Sequence, residues 1–188
     1  MNQTVFNSFP AIETNLLMLR KIEPEDAKDL FEFLSDNSVN QFMTNNSCEN
    51  IVQVQRLING MQQCFESKQK IRWGITQKTG NRIIGHCGYE AFNESNLTGE
   101  ISYCLAKEYW GQGIMTEAIR AITHFGFEKL GLNRIEAKLM LENTGSIKAL
   151  EKAGFRKEGL IREGLLKNDL FYDLYLYSIL KKDDYREG

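Results

Sequence analysis

Two short glycine-containing segments hold the residues with the clearest chemical use. In Gly111-Gln112-Gly113-Ile114-Met115-Thr116 the glycines precede a run suited to open a helix, so unpaired backbone N–H groups would converge where an anion can sit. Gly113 suits the turn and Gly111 removes side-chain bulk from the approach. Ile114, Met115 and Thr116 supply the first N–H groups of the helix. Gln112 either adds its amide to the ligand or faces solvent. The arrangement fits a pyrophosphate; taken alone, it also describes an ordinary turn and helix start.

The second segment, Asn143-Thr144-Gly145-Ser146, begins a shorter helix that stops at Gly154-Phe155. The Asn143 amide can cap that helix, orient Ser146 or touch a ligand. The Ser146 hydroxyl can contact a ligand or give a proton to a leaving group, and helix capping is its alternative role. Glu100 shares a strand face with Ser102 and Cys104, where a carboxylate can accept a proton directly or through water, or orient a substrate. His86 has a suitable imidazole but no assured partner, so a structural role is expected. Cys104 lacks a paired base, which argues against a covalent intermediate on it. Tyr172 and Tyr175 lie in a terminal strand, where sheet packing competes with substrate contact.

These residues must be positioned by one α/β domain spanning residues 1–188, with its core between about 15 and 182. Only two prolines and no low-complexity segment interrupt the chain. Net charge is −2, with 23 Lys+Arg against 25 Asp+Glu, so no overall positive field suggests a nucleic-acid or membrane partner. Cys48, Cys64, Cys87 and Cys104 are widely separated and make no zinc-ligand pattern with His86 and His124; reduced structural cysteines and no metal are expected. No secretory run and no membrane-length run is present, so cytoplasmic residence is the expectation.

Periodicity places a strand at Leu16–Ile22, a helix from Pro24 through Leu34, and a helix over Glu49–Glu66 after an Asn45-Asn46-Ser47 break. Strands follow around Trp73–Thr76 and Ile83–Phe92, the latter with a glycine bend at Gly85 or Gly88, and then at Glu100–Ala106. A helix over Ile114–Leu130 presents Ile114, Ala118, Ile122 and Phe125 as one stripe and ends at Gly131. The remainder reads as a strand at Asn133–Leu141, a helix at Thr144–Ala153 ended by Gly154, and antiparallel strands at Phe155–Leu165 and Phe171–Leu180.

In order along the chain, LLMLRKI at Leu16–Ile22, EYWGQGIMTEA, ENTGSIKALEKAGF and DLYLYSILK at Asp173–Lys181 resemble the GNAT superfamily of N-acetyltransferases. Within it, the match is similar to the branch of ribosomal-protein alanine/serine N-acetyltransferases. The resemblance implies a mixed, centrally splayed sheet flanked by helices, with pantetheine inserted like another strand. It implies acetyl-CoA as acyl donor and direct transfer in a ternary complex to a protein N-terminal amine, ribosomal proteins included. It also places pyrophosphate at Gly111–Thr116, a carbonyl-polarising N–H near Leu105 or Ala106, and Asn143 and Ser146 beside the cofactor.

Three positions depart from the common pattern. Trp110 stands where Arg or Gln is frequent, Met115 where Gly or Ala is frequent, and Leu150 where a tyrosine often serves as general acid. Leu150 cannot donate a proton, which leaves Ser146 as the candidate substitute. Asp173 resembles a recurrent acidic position on the substrate side, next to Tyr172, with structural hydrogen bonding as its preferred role. The nearest alternative acceptor is a small-molecule amine. A non-enzymatic acyl-CoA-binding sensor or interaction protein is the alternative from another class, motivated by Leu150. Related acetyltransferases are monomeric or dimeric, and a homodimer is the expectation here.

Overall fold

The computed structural model describes residues 1–43 and 47–184; Asn45 and Asn46 of the expected break lie outside the described residues. A 3-10 turn at Gln3–Asn7, absent from the sequence reading, buries Phe6. It leads to β1 (Ile12–Glu13) and β2 (Leu17–Arg20). The helix expected from Pro24 starts as a 3-10 turn, Pro24–Asp26, because Glu23 and Asp26 form a reciprocal capping box. It then continues as α1 (Ala27–Leu34). Both guanidinium Nη atoms of Arg20 donate to the Asp26 carboxylate at 2.7 Å, tying β2 to this corner. A one-turn helix, α2 (Asn37–Asn40), was not expected; α3 (Ile51–Glu66) follows, capped by the Asn50 side chain.

The rest runs β3 (Ile71–Gln77), β4 (Gly85–Asn93), β5 (Thr98–Leu105), α4 (Ile114–Glu128), β6 (Arg134–Met140), α5 (Thr144–Lys152), β7 (Arg156–Lys167), β8 (Leu170–Leu180) and α6 (Lys181–Asp184). Among the described residues the strands form one sheet in the order β1-β2-β3-β4-β5-β6-β8-β7. The β5–β6 pairing is parallel and the others are antiparallel. This is a single-domain α/β fold with a mixed sheet.

Pairing between β5 and β6 covers Thr98↔Arg134, Gly99↔Ile135 and Glu100↔Glu136, after which the strands part. The irregularity in β4 falls between Tyr89 and Ala91, where Glu90 is the extra residue, and not at Gly85 or Gly88. Those glycines serve close strand approach instead. A Cβ on Gly88 would stand 2.1 Å from the Ile71 carbonyl oxygen, and one on Gly85 would stand 2.4 Å from that of Cys104.

The expected stripe Ile114, Ala118, Ile122 and Phe125 is buried, packing α4 on one sheet face in a cluster with Tyr89, Ile101 and Ile135. Helices α1 and α3 cover part of the other face, where Leu30, Val54 and Ile58 join Ile83, Cys104 and Ala106. Each fully buried large apolar side chain contributes about 1.5–3 kcal/mol. Gly131 and Gly154 have φ of +72° and +93°, the left-handed conformation expected after α4 and α5. The terminal strands pair as an antiparallel hairpin, yet β8, the later one, takes the inner place beside β6.

Candidate active site

The separation of β5 from β6 creates the site. The Ala106 N–H donates to the Ile84 carbonyl at 2.8 Å, so it belongs to the contact with β4 and does not face the gap. Antiparallel alternation therefore turns the N–H groups of Tyr103 and Leu105 the other way, into the opening. Of the two expected carbonyl-polarising positions, Leu105 has the required direction and Ala106 does not.

A cavity of about 480 Å³ lies at this opening. Gly111, Gly113, Ile114, Met115 and Thr116 are among the residues that line it. Gly111 and Gly113 have φ of +76° and +81°, and no side chain caps α4, so its first N–H groups keep their donor capacity for an anion. Gln112 is off the wall: its Nε2 donates to the Glu108 carbonyl at 2.8 Å. Trp110 lines the cavity and donates through Nε1 to the Leu105 carbonyl at 2.8 Å, closing the end of β5.

Helix α5 begins against the same cavity. The Asn143 Oδ1 accepts the Ser146 N–H at 3.1 Å, so Asn143 caps the helix while both residues line the cavity. Lys148 and Lys152, one turn apart on α5, join them there. They went unnoticed in the sequence, although their i,i+4 spacing after the Asn143 cap is the signal that places two cations beside the glycine cradle. Donor N–H groups, two ammonium groups and the slot between strands suit the phosphates and the extended pantetheine of CoA.

Tyr103 is a third residue that sequence reasoning missed. It lines the cavity together with Ser146, whose side chain lies close enough to act on its phenol. Burial pushes its phenol above the ordinary range, while the Ser146 contact acts in the opposite direction, so it stays protonated near neutral pH. Leu150, where the family pattern often has tyrosine, is fully buried in the core. The phenol next to Ser146 therefore comes from a strand and not from α5.

Other expected residues lie elsewhere. Glu100 does not line the cavity; its Oε2 accepts from Lys138 Nζ at 2.7 Å. Four residues of strand separate it from cavity-lining Cys104, about 13 Å of rise, so proton transfer from that position requires water relays. Asp173 Oδ1 accepts the Glu163 N–H at 2.8 Å, a structural bond in the irregular part of β7, and neither it nor Tyr172 lines the cavity. His86 is buried with Nδ1 2.9 Å from Arg72 Nη1. Desolvation, helped by Arg72, holds its imidazole well below the ordinary value, so it is a neutral structural group. Burial pushes the Cys104 thiol up to about 12, which removes the thiolate a nucleophile needs. Among the described residues, no group of three or more His, Cys, Asp or Glu is placed to hold a metal ion.

The family model described as an acetyltransferase (GNAT) domain matches residues 17–156. The chain is 35% identical to the uncharacterized N-acetyltransferase YoaA of Bacillus subtilis (strain 168), over 92% of this chain and 98% of the relative. It is also 30% identical, over 52% of this chain and 55% of the relative, to the ribosomal-protein-serine acetyltransferase of Escherichia coli (strain K12). A GNAT-family acetyltransferase structure from Bacillus anthracis superposes with a TM-score of 0.83 at 25% identity, covering 92% and 99% of the two chains. Two likenesses at lower identity bear on the fold alone. RimL, a ribosomal L7/L12 alpha-N-protein acetyltransferase solved with coenzyme A, has a TM-score of 0.80 at 19% identity, covering 91% and 98%. The spermidine N-acetyltransferase of Vibrio cholerae, solved with CoA and spermine, has a TM-score of 0.79 at 20% identity, covering 92% and 100%.

The chain belongs to the GNAT acetyltransferases. Its cavity and family together define an acetyl-CoA-dependent acetyltransferase.

Proposed function

We propose that this protein transfers the acetyl group of acetyl-CoA to a protein N-terminal amine, with ribosomal proteins as the first acceptors to test. The observation that carries the acetyl-CoA part is the gap beyond Glu100 and Glu136, which opens onto the uncapped start of α4. The acceptor assignment draws support from the E. coli ribosomal-protein-serine acetyltransferase, with its shorter overlap. A small-molecule amine is the competing acceptor.

Transfer proceeds directly within a ternary complex. The neutral amine attacks the thioester carbonyl, whose oxygen takes developing negative charge towards the Leu105 N–H. The C–S bond then breaks with its electron pair on sulfur. Ser146 gives a proton to that sulfur and regains one from solvent water, with the Tyr103 phenol beside it in the cavity wall. Glu100 takes the amine proton through water. Asn143 orients the start of α5, while Gly111 to Thr116 and the two α5 lysines hold the phosphates. Tyr172 and Asp173 belong to the hairpin that bounds the acceptor side, Asp173 by shaping its backbone.

Cytoplasmic residence is part of the proposal, supported by four cysteines that form no disulfide. So is a homodimer, supported by exposed Leu160, Leu166, Leu170 and Phe171 on the β7–β8 hairpin; light scattering that finds only monomer across concentrations removes it. The functional test is thiol release together with acetylated-product mass across N-terminal peptides and small amines. Product on peptides beginning with Ala or Ser supports the proposal. Product on small amines alone moves the acceptor, and tight acetyl-CoA binding without product favours a sensor.

A further inference from the structure

The tip of the β7–β8 hairpin reaches the helical side of the cavity through one side chain. Lys167 Nζ donates to the carbonyls of Asn40 at 2.7 Å, Gln41 at 3.2 Å and Met43 at 2.7 Å. These oxygens lie at and just beyond the end of one-turn α2, and the Asn40 carbonyl accepts the Met43 N–H at 3.0 Å as well. An ammonium has three donors, and here three acceptors use them, so Lys167 keeps no proton for substrate chemistry. Desolvation lowers its proton affinity from the ordinary lysine value, in keeping with an ammonium drawn into the protein wall.

The clamped segment is anchored on its other side as well. Asn40 is buried, and its Nδ2 donates to the carbonyls of Leu34 at 2.7 Å and Asp36 at 2.9 Å. Lys167 thereby joins α1, α2 and the hairpin into one wall. Val39, Phe42 and Met43 from that wall line the cavity together with Cys104, while α4 and α5 carry the phosphate-binding groups. The clamp acts on wall residues that belong to neither α4 nor α5.

We propose that Lys167 is a positioning residue for the acceptor: by clamping the Asn40, Gln41 and Met43 carbonyls it holds Phe42 and Met43 in place and sets the width of the acceptor entrance. This rests on the acetyltransferase reading. It assigns acceptor selectivity to a contact between segments more than 120 positions apart, as the 127-residue separation of Lys167 from Asn40 illustrates.

The test compares full-length wild type with Lys167→Met, which keeps the aliphatic stem and removes the donors. Acetyl-CoA affinity is measured by calorimetry, amide exchange of segment 37–43 by mass spectrometry, and kcat and KM with the best acceptor from the peptide and amine panel. Expected are acetyl-CoA affinity within about twofold, exchange in segment 37–43 faster by about tenfold, and acceptor KM raised by about tenfold with kcat little changed. Unchanged exchange overturns the clamp. Faster exchange with unchanged KM overturns the positioning role. If wild type shows no acetyl-CoA binding or no product on any acceptor, the acetyltransferase reading fails and the positioning role falls with it, whereas the exchange result still judges the clamp separately.

Discussion

Replacing Gly113 with alanine isolates backbone conformation from crowding. Gly113 sits at φ +81° and ψ −8°, immediately before α4, and a Cβ there meets nothing within 4 Å. The cost is therefore the left-handed penalty, about 1–2 kcal/mol for an L-residue. Gly60 is the matching control. It lies inside α3, a Cβ there also has open space, and its φ is not positive. Gly60→Ala should stabilise the fold by about 0.5–1 kcal/mol, the opposite sign from the same chemical change. In Gly113→Ala the free protein is expected to relax the turn, moving the Ile114, Met115 and Thr116 N–H groups off the phosphate position. Restoring them on binding returns the 1–2 kcal/mol as a rise in acetyl-CoA Kd of about five- to thirtyfold. Calorimetric titration with acetyl-CoA, beside circular-dichroism melts of both variants, reads the two quantities separately. A Kd within twofold of wild type in Gly113→Ala, with its melting temperature lowered by several degrees, would refute the cradle argument: the strain would be present and the ligand indifferent to it.

Glu100→Gln should slow single-turnover acetyl transfer at saturating substrates and leave acetyl-CoA affinity intact, because the amide cannot accept the relayed proton; rates matching wild type across pH exclude Glu100 from proton transfer. Changing Lys148 and Lys152 together to alanine should weaken acetyl-CoA by up to about fivefold per lysine and flatten the salt dependence of binding. An unaltered salt dependence would place those ammonium groups away from the phosphates. Glu158 is held at about 2, below its ordinary 4.5, by hydrogen bonds from Arg134 and then Ser178. A depressed carboxyl stabilises the fold fully above about 4.5 and loses that effect as pH falls towards 2. Glu158→Gln should accordingly be less stable than wild type at pH 7, with a small gap because the group is largely solvated, and the gap should close in acid. Melts showing a pH-independent gap would contradict this.

The glycine turn before α4 was readable in the sequence because its cause is local. Positive φ at Gly111 and Gly113, the Asn143 cap and the left-handed Gly154 depend on residue type within a few positions. So did the α4 stripe, whose helical spacing already separates a buried face from a solvent face. Other features need the assembled sheet. The Ala106 N–H was excluded from the gap by the hydrogen-bond phase of the β4–β5 ladder, which sequence spacing does not specify. Glu100 shares the face of Cys104 as its spacing implied, yet the distance along β5 and the Lys138 ion pair take it off the cavity. Tyr103 meets Ser146 across 43 positions, and Lys167 reaches Asn40 across 127. Local sequence determined where the turns, caps and amphipathic faces form, since those follow from backbone freedom and periodicity. Tertiary structure alone decided which side chains share the cavity, because contact between distant segments depends on strand order, ladder phase and the separation of β5 from β6.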